Sequence, residues 1–420
     1  MEIKELLKGK DCCACGKSHK CPIDHVIIAE NACDSLPEIV HGYRHILLVA
    51  DQNTYRVGGA TVSEKLGRRL ADTLIYQTKE VLVPDEIAIE ALKARVTDDT
   101  DLIIGIGSGV INDLCKHVSF ISGLPYYIVA TAPSMDGYAS KGAALILDGM
   151  KVTLNADVPK AIIADVNMLK DAPFEMIQAG YGDIIGKYSC LNDWKLSHLV
   201  NDEYLCEFVM NATYDAVEET VRLADGLVQR APEAVKALME ALVAVGILMA
   251  YVGNSRPASG SEHHMSHYFE IVGIVRGEEY LPHGIDVCCS AIETAKIRER
   301  LLAIENIDAY VAHFDADAYE SNIRRVYTDI AEEVLALQEK MGWYRQDRVS
   351  IYRDKWEQIR AILSDAPTSA EMLRLTEQVG LSYDHFKSLY GDAKIADAHL
   401  YAKDLKDRYS VLWMYYDLMA

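Results

Sequence analysis

Between Asp24 and Asp165 short runs of aliphatic and β-branched residues alternate with longer amphipathic stretches. The runs DHVIIA (24–29), HILLVAD (45–51), VLVPD (81–85), DLIIGIG (101–107), PYYIVAT (125–131), GAALILD (142–148) and KAIIAD (160–165) have the length and composition of strands buried on both faces. They predict a parallel sheet wrapped by helices. From Leu169 onward apolar positions recur at spacings of three and four through 174–200, 203–230, 232–254 and most of the remainder. That periodicity predicts helices. The chain is therefore expected to comprise an N-terminal cysteine-containing extension (1–22), an α/β, doubly wound nucleotide-binding domain (23–168) and an all-α domain (169–420).

Composition removes several classes of function. A chain of 420 residues with 50% hydrophobic content can bury a large core and is not intrinsically disordered. Its 42 Lys and Arg against 63 Asp and Glu leave a formal charge of -21, which repels nucleic acid and anionic membrane surfaces. The longest apolar run, Ala241 to Gly253, falls short of the roughly 18 residues of a transmembrane helix and reads as a buried one. The opening MEIKELLKGK lacks the apolar core of a secretory signal, so a cytoplasmic location is expected. Ten cysteines are too sparse for a disulfide scaffold, and in a reducing compartment they stay thiols or bind metal.

Candidate chemistry in the first half lies where strands end. LIIGIGSGVIND places Gly105, Gly107 and Gly109 in a turn before a helix opening near Val110. Such a turn suits a pyrophosphate approached by backbone amides, or a helix packed tightly on its strand; the spacing GxGxG is not the usual GxGxxG. The next polar loop, TAPSMDGYAS, offers Thr131, Ser134 and Ser140 beside Asp136. Asp51 closes HILLVAD and could accept from a ribose diol or cap the following helix.

The second half carries the metal candidates. GSEHHMSHYFE holds three of 13 histidines, and His283 follows His267 by sixteen residues. His263 and His267 are four apart and share a helix face, while His264 points elsewhere. Two imidazoles need a carboxylate to complete a three-ligand centre. Asp183 is a candidate, in a helical stretch interrupted by Gly180, Gly182 and Gly186 where something must approach closely, although it is one acidic residue among 63. Near the N-terminus Cys12, Cys15 and Cys21, with His19 or His25, have donors enough for structural zinc or form a plain thiol segment.

GSGVIND, TAPSMDGYAS, GYGDIIGKYSCLNDWKLS, SRPASGSEHHMSHYFE and LPHG, in this order between Ile23 and about Arg300, closely resemble the sn-glycerol-1-phosphate dehydrogenase family of the dehydroquinate synthase and iron-containing alcohol dehydrogenase superfamily. The resemblance implies a dehydroquinate synthase-like fold with NAD(H), possibly NADP(H), as cofactor, and one divalent metal (Zn, Ni or Fe) held by Asp183, His263 and His283. It implies that His267 faces the substrate, with Asp183 at the same centre, and that Asp136 contacts substrate. Gly107, Ser108, Gly109, Val110 and Ile111, Thr131, Ala132, Pro133 and Ser134, and Ser140 would hold the dinucleotide. The implied reaction is reversible reduction of dihydroxyacetone phosphate to sn-glycerol 1-phosphate, the alternatives being an unphosphorylated polyol or alcohol dehydrogenase and a dehydroquinate-synthase-like cyclase. A dianionic substrate needs local cations, for which Lys187, Arg256 and His267 are candidates; equally, Arg256 could pair with a carboxylate such as Glu262 and Lys187 could reach solvent. A homo-oligomer is expected.

Overall fold

The computed structural model describes residues 2–78, 82–147 and 150–419. The chain divides into two compact units, Met1–Ile184 with Asn211–Asn254, and Ile185–Met210 with Ser255–Ala420. The compositional change at 168/169 marks where strands stop. The helices Phe174–Ile185 and Pro232–Val252 nevertheless belong largely to the sheet-bearing unit.

In the first unit, strands β1 (His25–Ala29), β2 (Ile46–Asp51), β3 (Leu70–Tyr76), β4 (Leu102–Gly107), β5 (Tyr126–Ala130), and β8 (Ala161–Asp165) form one parallel sheet in the order β1-β8-β5-β4-β2-β3. β4, β5 and β8 are buried along their whole length, as strands covered by helices on both faces must be. From β2 the chain steps outward to β3 and returns on the other side as β4, so the strand order reverses between β2 and β4. A crevice at the carboxyl ends of such a pair is where open α/β sheets bind ligands.

Two sequence expectations are corrected here. VLVPD does not supply the strand in its region: Val81 lies outside the described residues, Leu82–Pro84 are not strand, and Asp85 caps the helix Glu86–Lys93 through Ala88 N at 2.9 Å. The strand is β3, which begins in a polar stretch and sits at the sheet edge, where burial on both faces is not needed and no continuous apolar run marks it. GAALILD does not join the parallel sheet either. Its residues 142–147 are β6 (Gly142–Leu147), paired antiparallel with β7 (Met150–Asn155) in a separate two-stranded sheet, while Asp148 lies outside the described residues.

Pro232–Val252 is also longer than the apolar run that announced it. By length and composition it could cross a membrane, yet 83% of its most apolar window is buried, which fits a core helix.

The second unit is helical. Ser261–Arg276 and His283–Leu302 are neighbours within it, and both are tied to the helix Tyr383–Tyr401: Phe269 stacks on Tyr390 at 4.0 Å between ring centres, and the Tyr390 hydroxyl donates to Asp286 at 2.8 Å. Buried Glu293, on the His283–Leu302 helix, accepts from His399 at 2.9 Å, from Lys296 at 2.9 Å, and from the Tyr383 hydroxyl.

Candidate functional site

The loops after β2, β4 and β5 carry the cofactor candidates. Asp51 Oδ1 accepts from Asn53 N at 2.7 Å and Thr54 N at 2.9 Å, and Thr54 answers with its hydroxyl on Asp51 N, so Asp51 forms a reciprocal helix cap. Both cap bonds fall on one carboxylate oxygen. After β4 the helix Gly109–Ser122 begins one residue earlier than the sequence suggested; Ser108 makes no side-chain cap, and the first amides of a helix have no intrahelical acceptor. A Cβ on Gly107 would stand 2.6 Å from Ile111 Cβ, and one on Gly105 would stand 2.9 Å from Cys115 Sγ. These two glycines therefore let the helix close on its own strand, whatever else the turn does.

The loop Thr131–Ala139 is built rigidly. Thr131 N donates to Gly107 O at 3.0 Å, and the Tyr138 hydroxyl donates to Ala132 O at 2.7 Å. Two helices close on it through glycines: a Cβ on Gly180 would lie 1.9 Å from Pro133 O, and one on Gly246 would lie 2.9 Å from Asp136 O. The close approach expected at the glycine-interrupted helix is thus the backbone of this loop. Fully buried Lys116, which sequence reasoning passed over, donates to Gly137 O at 2.9 Å, Ser140 Oγ at 3.2 Å and Gly142 O at 2.8 Å. Asp113 lies 3.5 Å from its ammonium and accepts from Ala144 N at 3.1 Å. A lysine seven residues after Gly109, inside the helix, carried no spacing signal.

Asp183 is fully buried near the end of Phe174–Ile185, and its Oδ2 accepts from Asp136 N at 3.0 Å. The backbone of Asp136 thereby orients the carboxylate. On Ser261–Arg276, His263 and His267 share a face, with ring centres 6.2 Å apart, and the His283 ring lies 5.1 Å from the first and 5.4 Å from the second. His263 Nδ1 donates to Glu262 Oε1 at 2.7 Å, and that same oxygen accepts from Gly260 N at 3.0 Å. His283 Nδ1 lies 3.2 Å from Ser266 Oγ, whose own proton reaches the His283 carbonyl at 3.4 Å. With Nδ1 occupied on both rings, Nε2 is left as the ligating atom. Asp183, His263 and His283 each offer one ligand atom, and these atoms lie within 4.8 Å of one another. Glu262 and Ser266, like Lys116, were given no role at the site by sequence reasoning; the available sign was their adjacency to His263 and to the HxxxH pair.

His264 is fully buried, and burial with nearby cations pushes its imidazole well below the ordinary value, so it is a neutral core residue. Lys187 is fully buried and does not reach solvent. Arg256 is also buried, with Nη2 donating to Glu203 Oε2 at 2.6 Å and Tyr409 O at 2.8 Å; it does pair with a carboxylate, that of Glu203 and not of Glu262. The zinc reading at the N-terminus changes membership. The donor group is Cys13, Cys15, His19 and Cys206, whereas Cys12 is exposed, His25 opens β1, and burial pushes the Cys21 thiol up to about 12.

A parallel sheet whose strand order reverses between β2 and β4, in one chain with a helical unit bearing clustered histidines, is the architecture of the iron-containing alcohol dehydrogenase type. The family model described as iron-containing alcohol dehydrogenase matches residues 27–173. Among solved structures, an iron-containing alcohol dehydrogenase from Corynebacterium glutamicum superposes with a TM-score of 0.58 at 17% identity, covering 95% of each chain. Likeness at that identity concerns the fold. Among curated relatives, the glycerol-1-phosphate dehydrogenase (NAD(P)+) of Halalkalibacterium halodurans is 31% identical over 418 residues, 98% of this chain and 97% of that protein. The enzyme of the same name from Geobacillus stearothermophilus is 35% identical over 296 residues, 68% of this chain and 72% of that protein. The chain belongs to the glycerol-1-phosphate dehydrogenase family.

Proposed function

We propose that the chain catalyses reversible NAD(P)H-dependent reduction of dihydroxyacetone phosphate to sn-glycerol 1-phosphate. The observation that carries this reading is the grouping of Asp183, His263 and His283 with both imidazoles presenting Nε2. One carboxylate oxygen and two imidazole nitrogens suit Zn, Ni or Fe. A divalent ion held there would supply Lewis acidity toward the carbonyl oxygen.

The chain's own residues supply the remaining functions. His267, half-buried and 5.4 Å from the His283 ring, delivers a proton to the product oxygen from its imidazole. Lys187, fully buried and four residues after Asp183, would neutralise the substrate phosphate, and Asp136, whose amide donates to Asp183, would contact the substrate. The amides of Gly107–Ile111 and the loop Thr131–Ser134, with Ser140, hold the dinucleotide pyrophosphate at the switch point. The Asp51 oxygen not used in the cap accepts from the ribose 2'-hydroxyl of NADH.

The test is NADH oxidation with dihydroxyacetone phosphate and with dihydroxyacetone, the product being analysed for configuration. Strong turnover only with the phosphate, giving the sn-1 product, is expected. Preference for dihydroxyacetone would make the chain a polyol dehydrogenase, and phosphate release without net oxidation would make it a cyclase.

A further inference from the structure

We infer that Cys13, Cys15, His19 and Cys206 bind a structural zinc ion, separate from the centre at Asp183. Each residue offers one ligand atom, all within 4.8 Å of one another. Three of the four are buried, and all ten cysteines are reduced. Three thiolates and one imidazole form a closed tetrahedral donor set characteristic of structural zinc, and softer than the carboxylate and imidazole set at Asp183.

Local structure is arranged for this role. His19 Nδ1 lies 3.2 Å from the Tyr251 carbonyl oxygen, which can only accept, so Nδ1 carries the proton and Nε2 has the lone pair. Nε2 is 3.3 Å from Cys15 Sγ. The ring also stacks on Tyr251 at 5.3 Å, with 17° between planes, and is fully buried. Orientation of a histidine ligand by a carbonyl on its other nitrogen is the usual outer support of a zinc site. The segment between is a tight knuckle. Lys10 and His19 exchange two backbone bonds of 2.9 Å, Gly16 N donates to Cys13 O at 2.9 Å, and Gly16 has a φ of +81°, a left-handed conformation that glycine adopts without strain.

Ten residues so arranged bury little apolar surface, so the fold of this segment needs another source of stability. A bound ion would supply it, because metal affinity in a site absent from the unfolded chain becomes folding free energy. Residue spacing misdirects here, since Cys12 and Cys21 complete the cysteine pattern in sequence yet neither is in the donor group.

The experiment uses the full-length purified protein washed with EDTA. Elemental analysis should find one tightly held zinc per chain in wild type and in His263→Ala. Cys13→Ser and Cys206→Ser should each lose that zinc, while Cys12→Ser and Cys21→Ser should keep it. Reconstitution with cobalt(II) should produce thiolate-to-cobalt charge-transfer bands that Cys206→Ser weakens. Should the serine variants fail to fold, titration of wild type with an organomercurial, read by a zinc-sensitive dye, takes their place: one zinc should be released per chain as the thiols react. Wild-type thiols reacting without zinc release, or Cys206→Ser retaining full zinc and unchanged cobalt bands, would overturn the inference. Because the readout is zinc stoichiometry and spectrum, its failure leaves the dehydrogenase reading untouched, and the converse holds.

Discussion

Glu262 Oε1 lies 2.7 Å from His263 Nδ1, and the carboxylate is fully buried. A buried carboxylate behind a ligating imidazole fixes the ring's tautomer and raises its basicity. Glu262→Gln keeps the shape and removes the charge. Affinity for the divalent ion, measured by chelator competition, should fall by about 10- to 100-fold. Unchanged affinity would mean that Glu262 serves the helix start at Gly260 alone.

Gly180 has no room for a side chain, since its Cβ would sit 1.9 Å from Pro133 O. Gly180→Ala must displace the Thr131–Ala139 loop or the helix, at a cost of about 1–3 kcal/mol or more for overpacking. Because that loop is assigned to the dinucleotide, KM for NADH should rise while metal content stays constant. A variant of native stability with unchanged KM would remove the loop from the cofactor site.

Asp51 combines a cap with the ribose assignment, and the two separate experimentally. Asp51→Ser retains a capping oxygen but no longer repels a 2'-phosphate, so the NADH to NADPH ratio of kcat/KM should fall with little loss of stability. If thermal stability drops and the ratio holds, Asp51 acts as a cap only.

The helix that begins at His283 is anchored by Glu293. Burial raises this carboxyl, but bonds from His399, Tyr383 and Lys296 outweigh it and hold the group at about 2, below the ordinary 4.5. A depressed value means that the stabilisation is present above the unfolded pKa near 4.5 and is lost as pH falls toward 2. Glu293→Gln should therefore lower Tm at neutral pH, with a loss on the order of 3 kcal/mol for a broken buried pair, and should flatten the dependence of stability on pH between those values. A variant whose acid unfolding curve overlays that of wild type would contradict this anchoring.

Much of this was legible in the sequence, for identifiable reasons. Strands buried on both faces announce themselves as continuous apolar runs, so β2, β4, β5 and β8 were readable; of the two edge strands, β1 still carries the apolar run VIIA and was readable, whereas β3, interrupted by Asp72 and Thr73, was not. A spacing of four on a helix paired His263 with His267 and left His264 to the core. The order of five motifs, more than any local pattern, singled out Asp183 among the acidic residues. What stayed hidden depends on tertiary contact. Glu262 and Lys116 act through partners that their neighbours in sequence do not reveal, and Cys206 stands 187 positions beyond His19 by subtraction of their numbers.

The central claim is that Asp183, His263 and His283 hold the ion on which turnover of dihydroxyacetone phosphate depends. Its most direct test is metal content and NADH oxidation measured together on Asp183→Ala, His263→Ala, His283→Ala and His264→Ala. Each of the first three should lose the ion that supports turnover and reduce dihydroxyacetone phosphate at least about 100-fold more slowly. His264→Ala, losing only core packing, should keep the ion and most of its activity at moderate temperature. Retention of both ion and turnover in any of the first three, or their loss in a folded His264→Ala, would contradict the assignment.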